Sequence, residues 1–236
     1  MLRSSWFGSF LVSILLFGVS IGARPKLQER SDLQARMESL RAQIQAKEKV
    51  FLAPSSEDLS AFAEFLRQPD TGMARLMPRE TYDGKLLVRG GGAYYSFGGL
   101  TNEYGAGSDI GLERGQLRVG FAGANFGFLT ALGDLVIDGV TGEHAGVSFL
   151  TEFKAPSAEP DAREQQQRTG RGFEVDGFTY RSVLPATLNT TYALRSINYL
   201  VSDVLVVFRV TRQDADGSLI LVWKILKKFP LPQLSH

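Results

Sequence analysis

The sequence predicts a mainly β protein of the α+β type, an antiparallel β-sandwich or partly open barrel of roughly 8–10 strands. An N-terminal amphipathic helix and a second short helix precede it. Three observations carry this. Seventeen of the 25 glycines fall between Gly84 and Gly146, while no proline occurs between Pro78 and Pro156. High glycine without proline, mixed with Val, Leu, Phe and Tyr, reads as strands and tight turns. Four Asp-Gly pairs mark turns, at Asp83-Gly84, Asp138-Gly139, Asp176-Gly177 and Asp216-Gly217. Finally, residues 203–211 and 218–226 are nearly continuous apolar runs flanking the last of these pairs. Runs without alternation belong to strands covered on both faces, so this hairpin is expected at the centre of the core.

Residues 1–23 read as a secretory signal. Arg3 opens them, an uncharged run from Trp6 to Phe17 follows, and Gly18, Ser20, Gly22 and Ala23 close them. A basic start, an apolar middle and a small-residue exit are the parts of an export leader. Cleavage after Gly22 puts Ser20 and Gly22 at the two small positions. The rival reading is a retained anchor, since the run approaches the roughly 20 apolar residues that a span needs. The expected location is periplasmic or extracellular, or inner-membrane-anchored and facing the periplasm if the leader stays. Membrane contact is expected only in that second case.

Residues 24–53 form the helical arm. Leu33, Met37, Leu40 and Ile44 recur at steps of four, three and four, with no Gly or Pro between Pro25 and Pro54. That is an amphipathic helix with a narrow stripe, capped by Ser31 or Asp32. The stripe suits a short coiled coil and self-association, but it lasts only about two heptads. The competing reading is a single helix lying on the domain or bridging from the membrane.

Residues 54–78 hold a short helix and a linker. Ser55 and Asp58 have capping-box spacing, and Leu59, Phe62, Ala63 and Leu66 share a face. Both helical segments are plausible covers for one face of the core.

The β domain occupies residues 79–236. Hairpins are expected around Asp176-Gly177 and around Asp138-Gly139, because Asp-Gly suits two-residue turns with positive φ. Between Gln116 and Leu129 the apolar parity changes. Leu117, Val119 and Phe121 are odd, whereas Phe126 and Phe128 are even. A bulge or corner near Gly123 follows. Residues 154–170 lack aromatic residues and have almost nothing apolar larger than Ala, which reads as an exposed loop.

Charge and composition exclude several functions. Without Arg3 the basic and acidic residues balance at 25 each. Nucleic-acid binding, which needs a basic excess, is therefore not expected. There is no cysteine, and one of the two histidines is the terminal His236. Disulfides are excluded, and a His/Cys metal site nearly so. No cofactor motif occurs, so none is expected.

Candidate chemistry is sparse. Gly90, Gly91 and Gly92 follow Arg89 but lack a nucleophile motif to accompany an oxyanion loop. Asp214, Asp216 and Gly217 do not complete a calcium loop, and a hairpin turn explains them. His144, beside Glu143, has no specified partner for general-base work. Asp109, Glu113, Asp134 and Asp138 are candidate carboxylates for glycoside hydrolysis. The segment 94–109 is the candidate binding surface, with Tyr94, Tyr95, Asn102, Glu103, Tyr104 and Asp109 as its named residues. Tyr, Asn, Ser and Gly together make adaptable contact surfaces. Packing is the competing role, and Tyr94 and Tyr95 point to opposite faces if extended.

The expected function is an exported non-enzymatic binding or structural module that acts through contacts with a protein or small ligand. The alternatives are a carboxylate-dependent hydrolase of envelope or extracellular glycans and an outer-membrane β-barrel.

Overall fold

The computed structural model describes residues 23–81 and 86–235. The leader up to Gly22 and the Asp83-Gly84 turn lie outside the described residues. The chain divides into two compact units, Met1–Arg41 and Ala42–His236.

The long helix α1 (Ala23–Phe51) begins ahead of the expected caps, so Ser31 and Asp32 are interior residues and do not cap it. Its stripe residues Leu33, Met37, Leu40 and Ile44 are all exposed. Farther along, Glu48 is buried. Its carboxylate accepts the backbone N–H groups of Leu87 and of Val88, the latter at 3.2 Å. The capping box expected for the second helix forms at α2 (Ser56–Ala61). Ser55 Oγ accepts from Asp58 N at 3.2 Å, and Asp58 Oδ2 accepts from Ser55 N at 3.0 Å. The chain then turns through a 3-10 segment that buries Phe65.

The described residues form a mixed α+β fold of mostly antiparallel sheets that do not close into a barrel. Eleven strands are described, slightly more than expected. They are β1 (Thr71–Leu76), β2 (Tyr94–Tyr95), β3 (Ile110–Glu113), β4 (Gln116–Arg118), β5 (Phe126–Gly133), β6 (Phe173–Val175), β7 (Phe178–Tyr180), β8 (Val183–Pro185), β9 (Thr191–Asn198), β10 (Ser202–Gln213) and β11 (Leu219–Lys228). The larger sheet runs β1-β11-β10-β9-β5, the second β2-β3-β4-β8, and β6 pairs with β7.

The expected hairpin of β10 and β11 does sit at the centre, for the reason its composition gives. Val204, Val206, Phe208 and Val210 face one core, shared with Ile110, Leu112 and Leu117 of the second sheet. Leu205, Val207 and Val222 face the other. Two helices, α3 (Ala145–Glu152) and α4 (Glu159–Arg171), cover that other face through Val147, Leu150 and Ala162. Phe65 joins this layer, with Phe62 and Leu66 packed against it. The parity change after β4 is a corner. Leu117 and Val119 belong to the first core, Phe126 and Phe128 to the second, and the chain crosses between sheets in the intervening turn.

Two further expectations are corrected. Residues 154–170 are not an exposed loop, because α4 runs through most of them. Its composition is polar, but Glu159 and Asp161 sit in its first turn and Arg168 and Arg171 in its last, which suits the helix dipole. Only the small residues Ala162 and Thr169 are buried, so a large apolar stripe is unnecessary. Asp138-Gly139 does not turn a hairpin either. Residues Ile137–Gly139 form a 3-10 turn, and burial of Ile137 and Val140 in the second core fixes it. The Asp176-Gly177 hairpin forms as expected, with φ of 51° and 80° at the two turn residues.

Candidate functional site

The outer face of the second sheet builds a cleft from one cross-strand row. Tyr94 lies opposite Gly111, Gly111 opposite Arg118, and Arg118 opposite Val183. Side chains alternate along each strand, so the next positions, Tyr95, Ile110, Leu112 and Leu117, enter the core instead. The row lines a cavity of about 520 Å³. That lies within the ~300–1,000 Å³ usual for small-molecule sites.

Three rings gather over it. Tyr94 and Tyr104 have centroids 4.6 Å apart, and Phe121 meets Tyr94 edge-on at 5.1 Å. Gly111 is what lets them settle on the sheet. A Cβ there would stand 3.1 Å from both Phe121 Cζ and Tyr94 Cδ1. Gly90, with φ of +88°, serves likewise, since its Cβ would approach Tyr104 and Tyr94 to 2.7 Å. Tyr104 is held at both ends. Its N–H donates to Arg89 O at 2.7 Å, and its hydroxyl donates to Phe121 O at 3.3 Å.

The charged wall is Arg79, Glu113 and Arg118. Glu113 accepts from Arg79 Nη1 at 3.2 Å and from Arg118 Nη1 at 2.9 Å. One carboxylate thus serves two guanidiniums and leaves a net positive charge. Both arginines are about half exposed, with N–H donors to spare. Burial raises the Tyr94 phenol above its ordinary pKa, so it faces the cleft as a neutral hydroxyl. Helix α4 supplies polar Gln166 and Thr169 to the lining. Gln166 is braced by donating to Asn125 O at 3.1 Å.

Of the six expected binding residues, the structure brings Tyr94 and Tyr104 together at this cleft. It sends the other four elsewhere. Tyr95 is core, against Phe97 and Trp223. Asn102 braces the larger sheet by donating to Arg75 O at 2.7 Å. Glu103 is exposed and lines a different cavity of about 660 Å³. Asp109 is fully buried, accepting from Phe97 N at 2.8 Å and Asn198 Nδ2 at 3.0 Å. Burial pushes its pKa up to about 6.

The sequence reading missed Phe121, Arg79 and Arg118 as site residues. Arg118 had a signal, standing between core residues Leu117 and Val119 and therefore pointing outward. The four candidate carboxylates go to separate partners. Asp134 meets Arg209 at 2.6 Å, and Asp138 accepts from Gln68 at 2.9 Å, while Glu113 and Asp109 are bound as described. His144 caps α3, its Nδ1 accepting from Gly146 N at 3.2 Å. Gly90, Gly91 and Gly92 form a turn with positive φ throughout. Among the described residues no group of three or more acidic or histidine side chains gathers to hold a metal. Among them, too, no helix is long and apolar enough to cross a membrane.

Fold and site together define an α+β protein of open antiparallel sheets, with a ligand-sized, aromatic- and arginine-lined cleft on the outer face of the smaller sheet. No family model, curated protein or solved structure matches the chain.

Proposed function

We propose that this protein is an exported, non-enzymatic binding module that holds a small ligand in the cleft beside Tyr94 and Tyr104. The observation that carries this reading is the row Tyr94, Gly111, Arg118 and Val183. A glycine there lets three rings lie against the sheet, and two arginines share a single glutamate next to them. Aromatic walls with a few fixed polar groups are the usual makeup of a ligand site. Binding suits this arrangement better than bond-making, because Glu113 is neutralised by two cations rather than paired with a second acid. The basic, apolar and small-residue sequence of the leader supports action outside the cytoplasm.

A thermal-shift screen of the purified chain against a diverse metabolite library tests the binding reading. The expected result is at least one compound that raises Tm, shifts the amide resonances of Gly111 and Phe121, and loses its effect in a folded Tyr104→Ala variant. Compounds that bind only elsewhere, or that are chemically converted, overturn the reading. N-terminal sequencing of the protein from the exported fraction tests the leader, with Ala23 expected at the new terminus.

A further inference from the structure

We infer that the ligand of this cleft is an acidic sugar, a pyranose ring carrying a carboxylate. The inference rests on the binding reading above and names its ligand class. The two halves of the cleft ask for two different things of one molecule. Tyr104 and Phe121 are partly exposed rings at the cavity wall. An aromatic face is electron-rich, so it attracts the polarised C–H groups on one side of a pyranose. The opposite demand comes from Arg79 and Arg118. A guanidinium fork matches a carboxylate in geometry as well as charge. Glu113 satisfies one donor on each arginine and cancels one of the two charges. The remaining donors and the remaining charge suit one further carboxylate.

The rest of the lining fits hydroxyl groups. Tyr94 presents a neutral phenol, and Gln166 and Ser182 add polar atoms around an otherwise aromatic floor. A flat aromatic acid would use the rings and arginines but offer no hydroxyl to the Tyr94 phenol or the Ser182 side chain. A neutral sugar would use the rings and polar groups but leave the excess charge unmatched. A ring with both hydroxyls and a carboxylate serves all three sets.

Glu113 provides the sharpest test, because it competes with the ligand for the same two arginines. Titration calorimetry on the full chain would compare cellobiouronic acid, cellobiose and benzoate. The expected order has the uronic acid about tenfold or more tighter than either of the others, the scale of one charge-assisted contact. Glu113→Gln is expected to tighten the uronic acid further and so widen its margin over cellobiose. Arg118→Gln is expected to reduce the preference for the acid, with Arg79→Gln as a second variant should the first fail to fold. Equal affinity for cellobiose and its acid, tightest binding of benzoate, or weaker acid binding in Glu113→Gln overturns the inference. If none of the three probes binds while the library screen finds another ligand at Tyr104, this inference falls and the binding reading stands. If the screen also finds none there, both fall.

Discussion

Arg195 and Asp203 form a two-pronged ion pair inside the larger sheet, Nε to Oδ1 at 2.9 Å and Nη2 to Oδ2 at 2.8 Å. Both side chains are almost wholly buried, at 2% and 3% exposure. The remaining arginine nitrogen donates to Leu150 O at 2.7 Å and also to Phe153 O. These are carbonyls at the end of α3, where a helix leaves its last acceptors unpaired and carries partial negative charge. Phe229 covers the guanidinium at 3.6 Å. One buried cation therefore fastens α3 to β9 and β10.

Removing one partner strands the other. Arg195→Met leaves Asp203 as an uncompensated buried charge and frees the α3 carbonyls, and is expected to cost about 3–5 kcal/mol. The double variant Arg195→Met with Asp203→Leu is expected to recover a large part of that. Urea denaturation of the two variants measures the difference. Equal losses in single and double variants would show that the carbonyl contacts, not the ion pair, carry the effect.

Asp109 gives stability a pH dependence of definite sign. Burial raises its folded-state pKa from 3.8 to about 6, and its partners Phe97 N and Asn198 Nδ2 are neutral. The folded protein therefore holds a proton that the unfolded chain releases. This group costs nothing below about pH 4, and its cost grows to about 3 kcal/mol once the pH passes 6. Asp109→Asn removes the titration. Relative to that variant, the wild type is expected to gain stability as the pH falls from 6.5 to 4.5. Denaturant midpoints across that range check it, and a constant difference between the two proteins would refute it.

Close approach of β5 and β9 depends on Gly127. A Cβ there would stand 2.7 Å from the backbone oxygen of Arg195 and 3.0 Å from Val119 Cγ2. A backbone atom cannot swing aside as a side chain does. Gly127→Ala is expected to lose about 1–3 kcal/mol through overpacking. Gly115→Ala makes the contrast at a position with open space, where only the φ of +69° is strained.

The larger sheet was legible in the sequence because its signals are local and redundant. Continuous apolar runs mark strands covered on both faces, Asp-Gly pairs mark turns with positive φ, and the parity change at 117–128 follows from side-chain alternation along a strand. The cleft was half legible. Tyr94 and Tyr104 belong to a conspicuous Tyr-rich segment, and Arg118 joins them through the pairing of β2, β3 and β4, but Phe121 and Arg79 stand outside the strands, where no side-chain alternation points to them. Asp109 gave no local sign of burial, because its side-chain partner Asn198 stands 89 positions away. Asp138-Gly139 shows the converse failure. Its turn signal was real, but Ile137 and Val140 are drawn into the second core and make a 3-10 turn instead.

Helix α4 escaped the sequence reading because its buried face is made of small residues. Ala162 and Thr169 are fully buried, whereas Glu164 is exposed. Small side chains bring a helix close to a sheet, and the same packing sets Gln166 and Thr169 in the cleft lining. Ala162→Leu adds volume where none is available and is expected to cost about 1–3 kcal/mol. Glu164→Ala is expected to stay within about 0.5 kcal/mol, as surface changes do. Denaturant unfolding measures both. The shift should also reach the binding site: Ala162→Leu is expected to weaken whatever ligand the wild-type cleft holds, and Glu164→Ala is not. Loss of stability in Ala162→Leu with ligand affinity untouched would show that α4 covers the core without shaping the cleft.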